Sequence, residues 1–375
     1  MARSAGDTIY AVSTAPGRAA IAVVRASGAR ASDALRTIAG EPLPVPRTAT
    51  VRPLKCGRGD FIDQALVFWF PAPASATGDD VAEFHLHGGR AVLDALLQTL
   101  ATLPGLRTAE PGEFTRRAVE NGKLDLTRAE AIADLIEAET PAQQRQALRQ
   151  YQGGLLELYE DWRLRLISVL AWAEAAIDFS DEDLPADLEQ RLRAPVDVLH
   201  AEMRRHLDDS RRGEITREGL FLTIVGAPNV GKSSLLNALA RRDIAIVSER
   251  PGTTRDILET RLDIAGYMVH VADTAGFRET FDEVELQGVS RARVRAASSD
   301  ITLLVLDGSA NDPFADLDSE TVARATITVW NKSDLPWHGP RDGLRISAKT
   351  GERLDDLLGR IAEEVRARFE RPREP

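Results

Sequence analysis

The order of apolar and polar positions divides the chain into three stretches of different rhythm. In the first 120 or so residues, short runs suited to β-strands (TIYAVST, AAIAVVRASG, QALVFWF, VAEFHLHG) mix with helical stretches (ARASDALRTIAG, GRAVLDALLQTLATL), and Pro and Gly punctuate the joins. This predicts a compact N-terminal α+β domain over residues 1–122. From about Thr127, apolar positions recur at three- and four-residue intervals through TRAEAIADLIEAE, PAQQRQALRQYQGGLLELYEDWRLRLISVLAWAEAAIDF and ADLEQRLRAPVDVLHAEMRRHLDDS. With few β-branched runs, this pattern predicts a central all-α helical domain over residues 123–215, its Met, Trp and Leu stripe forming core. The acidic DFSDEDLPAD, residues 178–187, reads as a solvated loop between helices. At about Gly219 the rhythm changes again: FLTIVG, HVADT, ITLLVLD and TITVWN are continuously apolar and each ends at a polar or Gly-rich motif. Strands buried on both faces look like this, so residues 216–375 are expected to form a doubly wound α/β domain with its ligand at the carboxyl ends of the strands.

Length and composition narrow the picture without changing it. A chain of 375 residues suits two or three domains, and 43% hydrophobic with 28% charged residues is ordinary for a globular protein. A single cysteine, Cys56, excludes an intrachain disulfide and a cysteine zinc site, and the chain reads as cytoplasmic. Cys56 itself reads as a small buried apolar residue rather than a reactive thiol. The opening MARSAGDTIYAVSTAPG lacks the apolar core of a signal peptide, and LISVLAWAEAAI is too short to span a bilayer and carries Glu174, so no membrane association is expected. The net charge of -11 argues against coating nucleic acid by charge alone, leaving room for a local basic patch or a basic partner. His85 and His87 share a strand face, with two readings: a metal pair, or two packed rings. Only five basic residues are lysine against 42 arginines, so lysine should persist mainly where a guanidinium will not serve.

Chemistry concentrates in the last stretch. GAPNVGKSS, Gly226 to Ser234, fits G-x-x-x-x-G-K-[ST] between a strand and a helix. There the backbone of Asn229, Val230, Gly231 and Ser234 would cradle phosphates, Lys232 reach the outer phosphates and Ser233 ligate Mg²⁺. DTAG places Asp273 at a strand end to hold the metal through water, with the Thr274, Ala275 and Gly276 backbone near the γ-phosphate. NKSD supplies Asn331, Lys332 and Asp334. The Asp334 carboxylate can accept both donors of the guanine edge, which specifies GTP over ATP. SAK adds Ser347, Ala348 and Lys349, with the Ala348 N–H available to the guanine carbonyl. PGTTRD brings Gly252, Thr253 and Thr254, the last as a second hydroxyl ligand of Mg²⁺. Together these motifs make the third domain a P-loop G domain. A glutamine commonly follows the DTAG glycine to orient the attacking water, but Phe277 stands there. Asn229 and backbone oxygens between Ala245 and Thr253 could hold K⁺ in place of an arginine finger. Glu285 reads equally as the residue that orients water and as an acidic first-turn helix residue.

These motifs, with TAPGRAAIAVVRASG, GDDVAEFHLHGG, PGEFTRRAVENGKLDLTRAEAIADLI and AEAAIDF, resemble the MnmE (TrmE) family of tRNA-modifying GTPases along essentially the whole chain. The resemblance implies a K⁺-activated GTPase that dimerises. It works with the flavoprotein MnmG, in a heterotetramer, to build a carboxymethylaminomethyl group on the wobble uridine of certain tRNAs. It implies K⁺ ligands at Asn229, Ser248, Arg250 and Thr253, Mg²⁺ at Ser233 and Thr254, and catalytic roles for Lys232, Thr254 and Glu285, which becomes the water-positioning residue. A tetrahydrofolate derivative would meet Arg25, Glu83 and Lys123 in an N-terminal domain that also dimerises. The family continues past its G domain with helices that complete the bundle, whereas this sequence stops at Pro375, so exposed apolar helix faces are expected. Two alternatives are a ribosome-assembly GTPase, which shares the nucleotide motifs, and a GTP-dependent interaction protein without tRNA-modifying competence.

Overall fold

The computed structural model describes residues 7–178, 188–207, 212–242, 244–246, 259–273 and 299–369, and it separates into two compact units, Met1–Glu130 and Ala131–Pro375. The first unit is built on β1 (Thr8–Val12), β2 (Ala19–Ser27), β3 (Thr50–Lys55), β4 (Phe61–Phe70), β5 (Val81–Gly88) and β6 (Leu106–Thr108), in the order β3-β4-β5-β2-β1-β6. All pairs are antiparallel except β1 with β6, a three-residue strand too short to show in the sequence pattern. Alternation on the strands aims Val24, Ala26, Val67, Phe84 and Leu86 at helices α1 (Ala31–Ala39) and α2 (Arg90–Ala101), whose Leu35, Ile38, Leu96 and Leu100 complete one core. Val51, Leu66, His85 and Val23 lie side by side across four strands on the other parity, with Val51 and Leu66 exposed.

Helix α3 (Glu113–Glu120) is fastened by charge instead. The Glu113 carboxylate, only 2% exposed, accepts from Arg107 at 2.6 and 2.9 Å, from Arg117 at 3.3 Å and from the Glu110 N–H at 2.9 Å, and pairs with Arg116 at 3.4 Å. The Arg107 bonds hold its carboxyl down at about 2, outweighing burial.

Two sequence expectations change here. Cys56 is not buried: it sits partly exposed in the turn between β3 and β4, its thiol 3.5 Å from Asp60 Oδ2, just past the end of the sheet's edge strand. The two histidines do not work as a pair. His85 bonds Glu83 at 3.0 Å and packs on Phe68, whereas His87 is 73% exposed and bonds Asp63 at 2.9 Å. Among the described residues no cluster of His, Cys, Asp and Glu could hold a metal.

Helices α4 (Leu126–Glu137), α5 (Pro141–Tyr151), α6 (Gly154–Asp178), α7 (Leu188–Leu207) and α8 (Arg212–Glu218) follow. The long periodic stretch breaks between α5 and α6 at Gly153, whose φ of 104° suits the left-handed residue that ends a helix. Helix α6 packs on α7 through Trp162 against His206 and an Arg165–Glu202 ion pair. It leaves Leu164, Leu166, Ile167, Leu170, Trp172 and Ile177 exposed, so apolar helix faces are exposed as expected, while the stripe expected to form core is buried in α6 only at Trp162, because among the described residues α7 covers only one side of the helix. The acidic stretch expected to be a loop lies outside the described residues beyond Asp178, the last residue of α6. No described helix is long and apolar enough to cross a membrane.

The second sheet contains β7 (Leu220–Val225), β8 (Glu259–Ile264), β9 (Tyr267–Asp273), β10 (Ile301–Asp307), β11 (Ile327–Asn331) and β12 (Leu344–Arg345), ordered β12-β11-β10-β7-β9-β8. Only β8 runs antiparallel. Helices α9 (Lys232–Ala240) and α11 (Leu354–Phe369) bury Leu235, Leu239, Leu357 and Ile361 against the apolar strands; α10 (Ser319–Ala323) is short. From β7 the chain builds toward β9 on one side and toward β10 and β11 on the other. The loops after β7, β10 and β11 therefore converge at one end of the sheet.

Candidate guanine-nucleotide site

The loop from Gly226 to Gly231 joins β7 to α9 in a conformation its sequence permits. Gly226 has φ 155° and Gly231 has φ 100°, both in the region that favours glycine. A Cβ on Gly226 would run into the Val305 carbonyl of β10, and one on Gly231 into the Asn331 side-chain amide. Asn229 is left-handed too, at φ 63°, and its side chain is exposed. Such a loop turns successive N–H groups inward, a concavity suited to anions at the start of a helix. Lys232 is only 7% exposed and its ammonium donates to the carbonyl oxygens of Gly226 at 2.9 Å and Ala227 at 2.8 Å. Ser233 and Ser234 stand exposed in the first turn of α9. A serine hydroxyl there suits a hard divalent cation beside phosphate oxygens, so the described part of the loop fits Mg²⁺.

Asn331, at the end of β11, is 3% exposed and ties two loops together. Its Nδ2 donates to the Val230 carbonyl at 2.7 Å, and its Oδ1 accepts from the Ala348 N–H at 2.9 Å. The Ala348 amide, expected at the guanine carbonyl, thus has an internal partner here. Ser347, fully buried, donates through Oγ to Asp334 Oδ1 at 2.7 Å and holds that carboxyl below the usual range. Asp334 is exposed and ionised, the state a guanine edge with two donors requires. Lys332 has φ 68° and donates to Asp307 Oδ2 at 2.7 Å. Burial pushes the Asp307 carboxyl up, but hydrogen bonds from Lys332 and Ser309 outweigh it and keep it ionised. Sequence reasoning passed over Asp307; the only signal was an acid closing the apolar run ITLLVLD. Lys349 is exposed and its charge also lowers Asp334.

The remaining expected nucleotide residues, Ser248, Arg250, Gly252, Thr253, Thr254, Thr274, Ala275, Gly276 and Glu285, lie outside the described residues, as does Phe277. Asp273 is described only as the last residue of β9.

In the N-terminal unit, Arg25 and Glu83 face each other across β2 and β5, with Arg25 Nε 2.8 Å from Glu83 Oε1 and its guanidinium over the Phe114 ring. Burial raises the Glu83 carboxyl, but the His85 hydrogen bond and the Arg25 charge bring it below its ordinary value. Lys123 is exposed just past α3, its N–H bonded to the Ala118 carbonyl. A guanidinium beside an ionised carboxylate offers donors and an acceptor together, which fits a ligand with a carboxylate and an amide-like edge.

Residues 8–123 match the family described as GTP-binding protein TrmE N-terminus, and residues 126–374 match the MnmE helical domain. The chain is 53% identical to the tRNA modification GTPase MnmE of Rhodospirillum rubrum over 97% of its own length and 84% of that protein. It is likewise 53% identical to the protein of the same name from Paramagnetospirillum magneticum, over 97% of this chain and 83% of that one. Among solved structures, the G domain of the FeoB iron transporter of T. maritima overlaps 39% of this chain and 98% of its own, at 24% identity and a TM-score of 0.28.

Proposed function

This chain belongs to the MnmE family of tRNA-modification GTPases, and we propose on that footing that its GTP hydrolysis is switched on by K⁺ and serves the modification of a tRNA wobble uridine. The GTPase chemistry itself follows from the family. The observation that carries the K⁺ reading is Asn229, a left-handed residue in the phosphate loop whose exposed side-chain carbonyl is free of the core. With Phe277 where a water-orienting glutamine commonly stands, the charge that develops between the β- and γ-phosphates needs another counterweight.

In this reading Lys232 exchanges the carbonyls of Gly226 and Ala227 for phosphate oxygens, so the cost of desolvating its ammonium is met before the nucleotide arrives. Ser347 holds the Asp334 carboxylate ionised toward the base, and Asn331 keeps the base-side and phosphate-side loops in register. Mg²⁺, when bound beside Ser233, would neutralise charge on the phosphates, with Thr254 as its second hydroxyl and Glu285 positioning water. Ser248, Arg250 and Thr253 would supply further oxygens to K⁺. Two copies would pair, with the flavoprotein MnmG and tRNA as partners in the cytoplasm. A tetrahydrofolate derivative would lie against Arg25, Glu83 and Lys123, in a domain structure of residues 1–122, 123–215 and 216–375.

GTP turnover in K⁺ and Na⁺ buffers of equal ionic strength tests the cation. K⁺ should accelerate the wild type by about 10³-fold or more if it does the work of an arginine finger. Asn229→Ala should lose most of that acceleration, and equal rates in the two buffers would remove K⁺ from the mechanism.

A further inference from the structure

Asp307 belongs to none of the nucleotide motifs, yet it is the residue on which Lys332 rests. It ends β10 directly beside Asn331 at the end of β11, and the Gly308 N–H donates to the Asn331 carbonyl at 2.9 Å. The Asp307 carboxylate is oriented from both sides. Oδ1 accepts from the Ser309 N–H at 2.9 Å and from the Ser309 hydroxyl at 2.6 Å, which leaves Oδ2 to take the Lys332 ammonium at 2.7 Å. Lys332 is meanwhile fixed at its other end, with φ 68°, a conformation lysine rarely adopts, and with its carbonyl accepting from the Leu335 N–H at 3.0 Å. Four methylenes held between a fixed Cα and a fixed Nζ have lost their rotamer freedom. In sequence Lys332 lies between Asn331, which ties the phosphate loop to the Ser347–Ala348 loop, and Asp334, the residue expected at the base edge.

We propose that Asp307 is a positioning residue for the guanine nucleotide, pinning Lys332 so that the lysine's apolar stem is a preformed ledge against the flat face of the base. The idea rests on the reading of NKSD as the guanine site. A side chain ordered before the ligand arrives adds affinity by sparing the ordering cost at binding. Asp307 touches no reacting atom, so its effect belongs in nucleotide binding and not in the chemical step.

The test uses the full chain and GDP as the probe. Asp307→Asn keeps the shape and an oxygen for Ser309 but removes the charge that holds Lys332. Its GDP Kd should rise about three- to tenfold, with kcat at saturating GTP within about twofold of wild type and a ligand-free melting temperature lower by no more than a few degrees. Ser309→Ala, which frees the carboxylate to turn, should move Kd the same way by less. In a double-mutant cycle, adding Asp307→Asn to Lys332→Gln should change Kd no further, whereas a general loosening of the fold would add. A GDP affinity equal to wild type in Asp307→Asn, additive effects in the cycle, or a fall in kcat at unchanged Kd would each overturn the proposal. A wild-type chain that binds no GDP would instead overturn the guanine reading beneath it.

Discussion

Removing the Asn331 side-chain amide should uncouple the two loops of the nucleotide site. At 3% exposure, this amide supplies one donor to Val230 and one acceptor to Ala348, at 2.7 and 2.9 Å. Asn331→Ala leaves a buried carbonyl and a buried N–H without partners. Each such group costs about 1–3 kcal/mol, so the pair comes to roughly 2–6 kcal/mol, divided between fold stability and nucleotide affinity. The division follows from position: Val230 immediately precedes Gly231 and Lys232, and Ala348 lies in the loop whose Ser347 holds Asp334. Asn331→Asp is the sharper variant. It keeps the volume and can still accept from Ala348, but it has no donor for Val230 and sets a carboxylate against a carbonyl oxygen. At neutral pH it should be at least as damaging as alanine despite the closer shape. The measurements are urea denaturation without nucleotide and GDP titration by fluorescence. If both variants stay within about 0.5 kcal/mol of wild type in stability, the range of an ordinary surface substitution, and bind GDP normally, the bridging role is wrong.

Two further outcomes follow from the same geometry. Glu113 has a folded-state pKa of about 2 against an ordinary 4.5, so its contribution is present above the ordinary value and is lost as pH falls toward about 2. Glu113→Gln should therefore cost roughly 2 kcal/mol at neutral pH, a figure reduced for screening of its part-exposed arginine partners, and the gap from wild type in urea should close between about pH 4.5 and 2; a gap independent of pH would exclude the charge network as its source. Gly226→Ala should abolish GDP binding and lower the melting temperature by several degrees, since its Cβ meets the Val305 carbonyl, whereas Gly266→Ala, at φ 84° in open space, should show only a conformational penalty of about 1 kcal/mol. Similar effects of the two alanines would refute the collision.

What the sequence made legible were features written in local order. Strands β7, β10 and β11 are apolar on both faces because α9 and α11 cover one side while Leu317, Ala325 and Trp337 pack against Leu304, Leu306 and Trp330 on the other, and that produces an unbroken run a reader can see. The phosphate loop is legible for a related reason: its glycines occupy φ values other residues resist, so their spacing records the backbone itself. Contacts between distant segments leave no such record. Asn331 reaches Val230 across 101 positions, and nothing within NKSD announces that its first residue faces inward while Asp334 faces out. Asp307 was hidden by the run it closes. Glu113 draws Arg107 from β6 and Arg117 from its own helix, and only the helical pair has a spacing that sequence can display. Cys56 was misread because burial was inferred from residue type, while it lies just past the end of the edge strand β3.

The scarcity of lysine acquires a physical meaning at the two positions where the ammonium has described partners. Lys232 donates to two carbonyl oxygens one residue apart inside a tight loop, and Lys332 donates to a single carboxylate oxygen whose neighbour is occupied by Ser309. Both sites suit a compact charge at the end of a slender stem: Lys232 brings one atom to two oxygens of a tight loop and Lys332 meets one oxygen, whereas a guanidinium spreads its donors over a plane. Two arginines show the planar alternative. Arg107 spans both oxygens of Glu113, and Arg165 spans both oxygens of Glu202. Lys55 and Lys123 are exposed and discriminate nothing, so lysine count alone would have been a poor guide to the site. The informative quantity is the geometry of the acceptors each cation meets. Asp307 is matched to Lys332 in this sense, because it offers the ammonium one oxygen and keeps the other on Ser309.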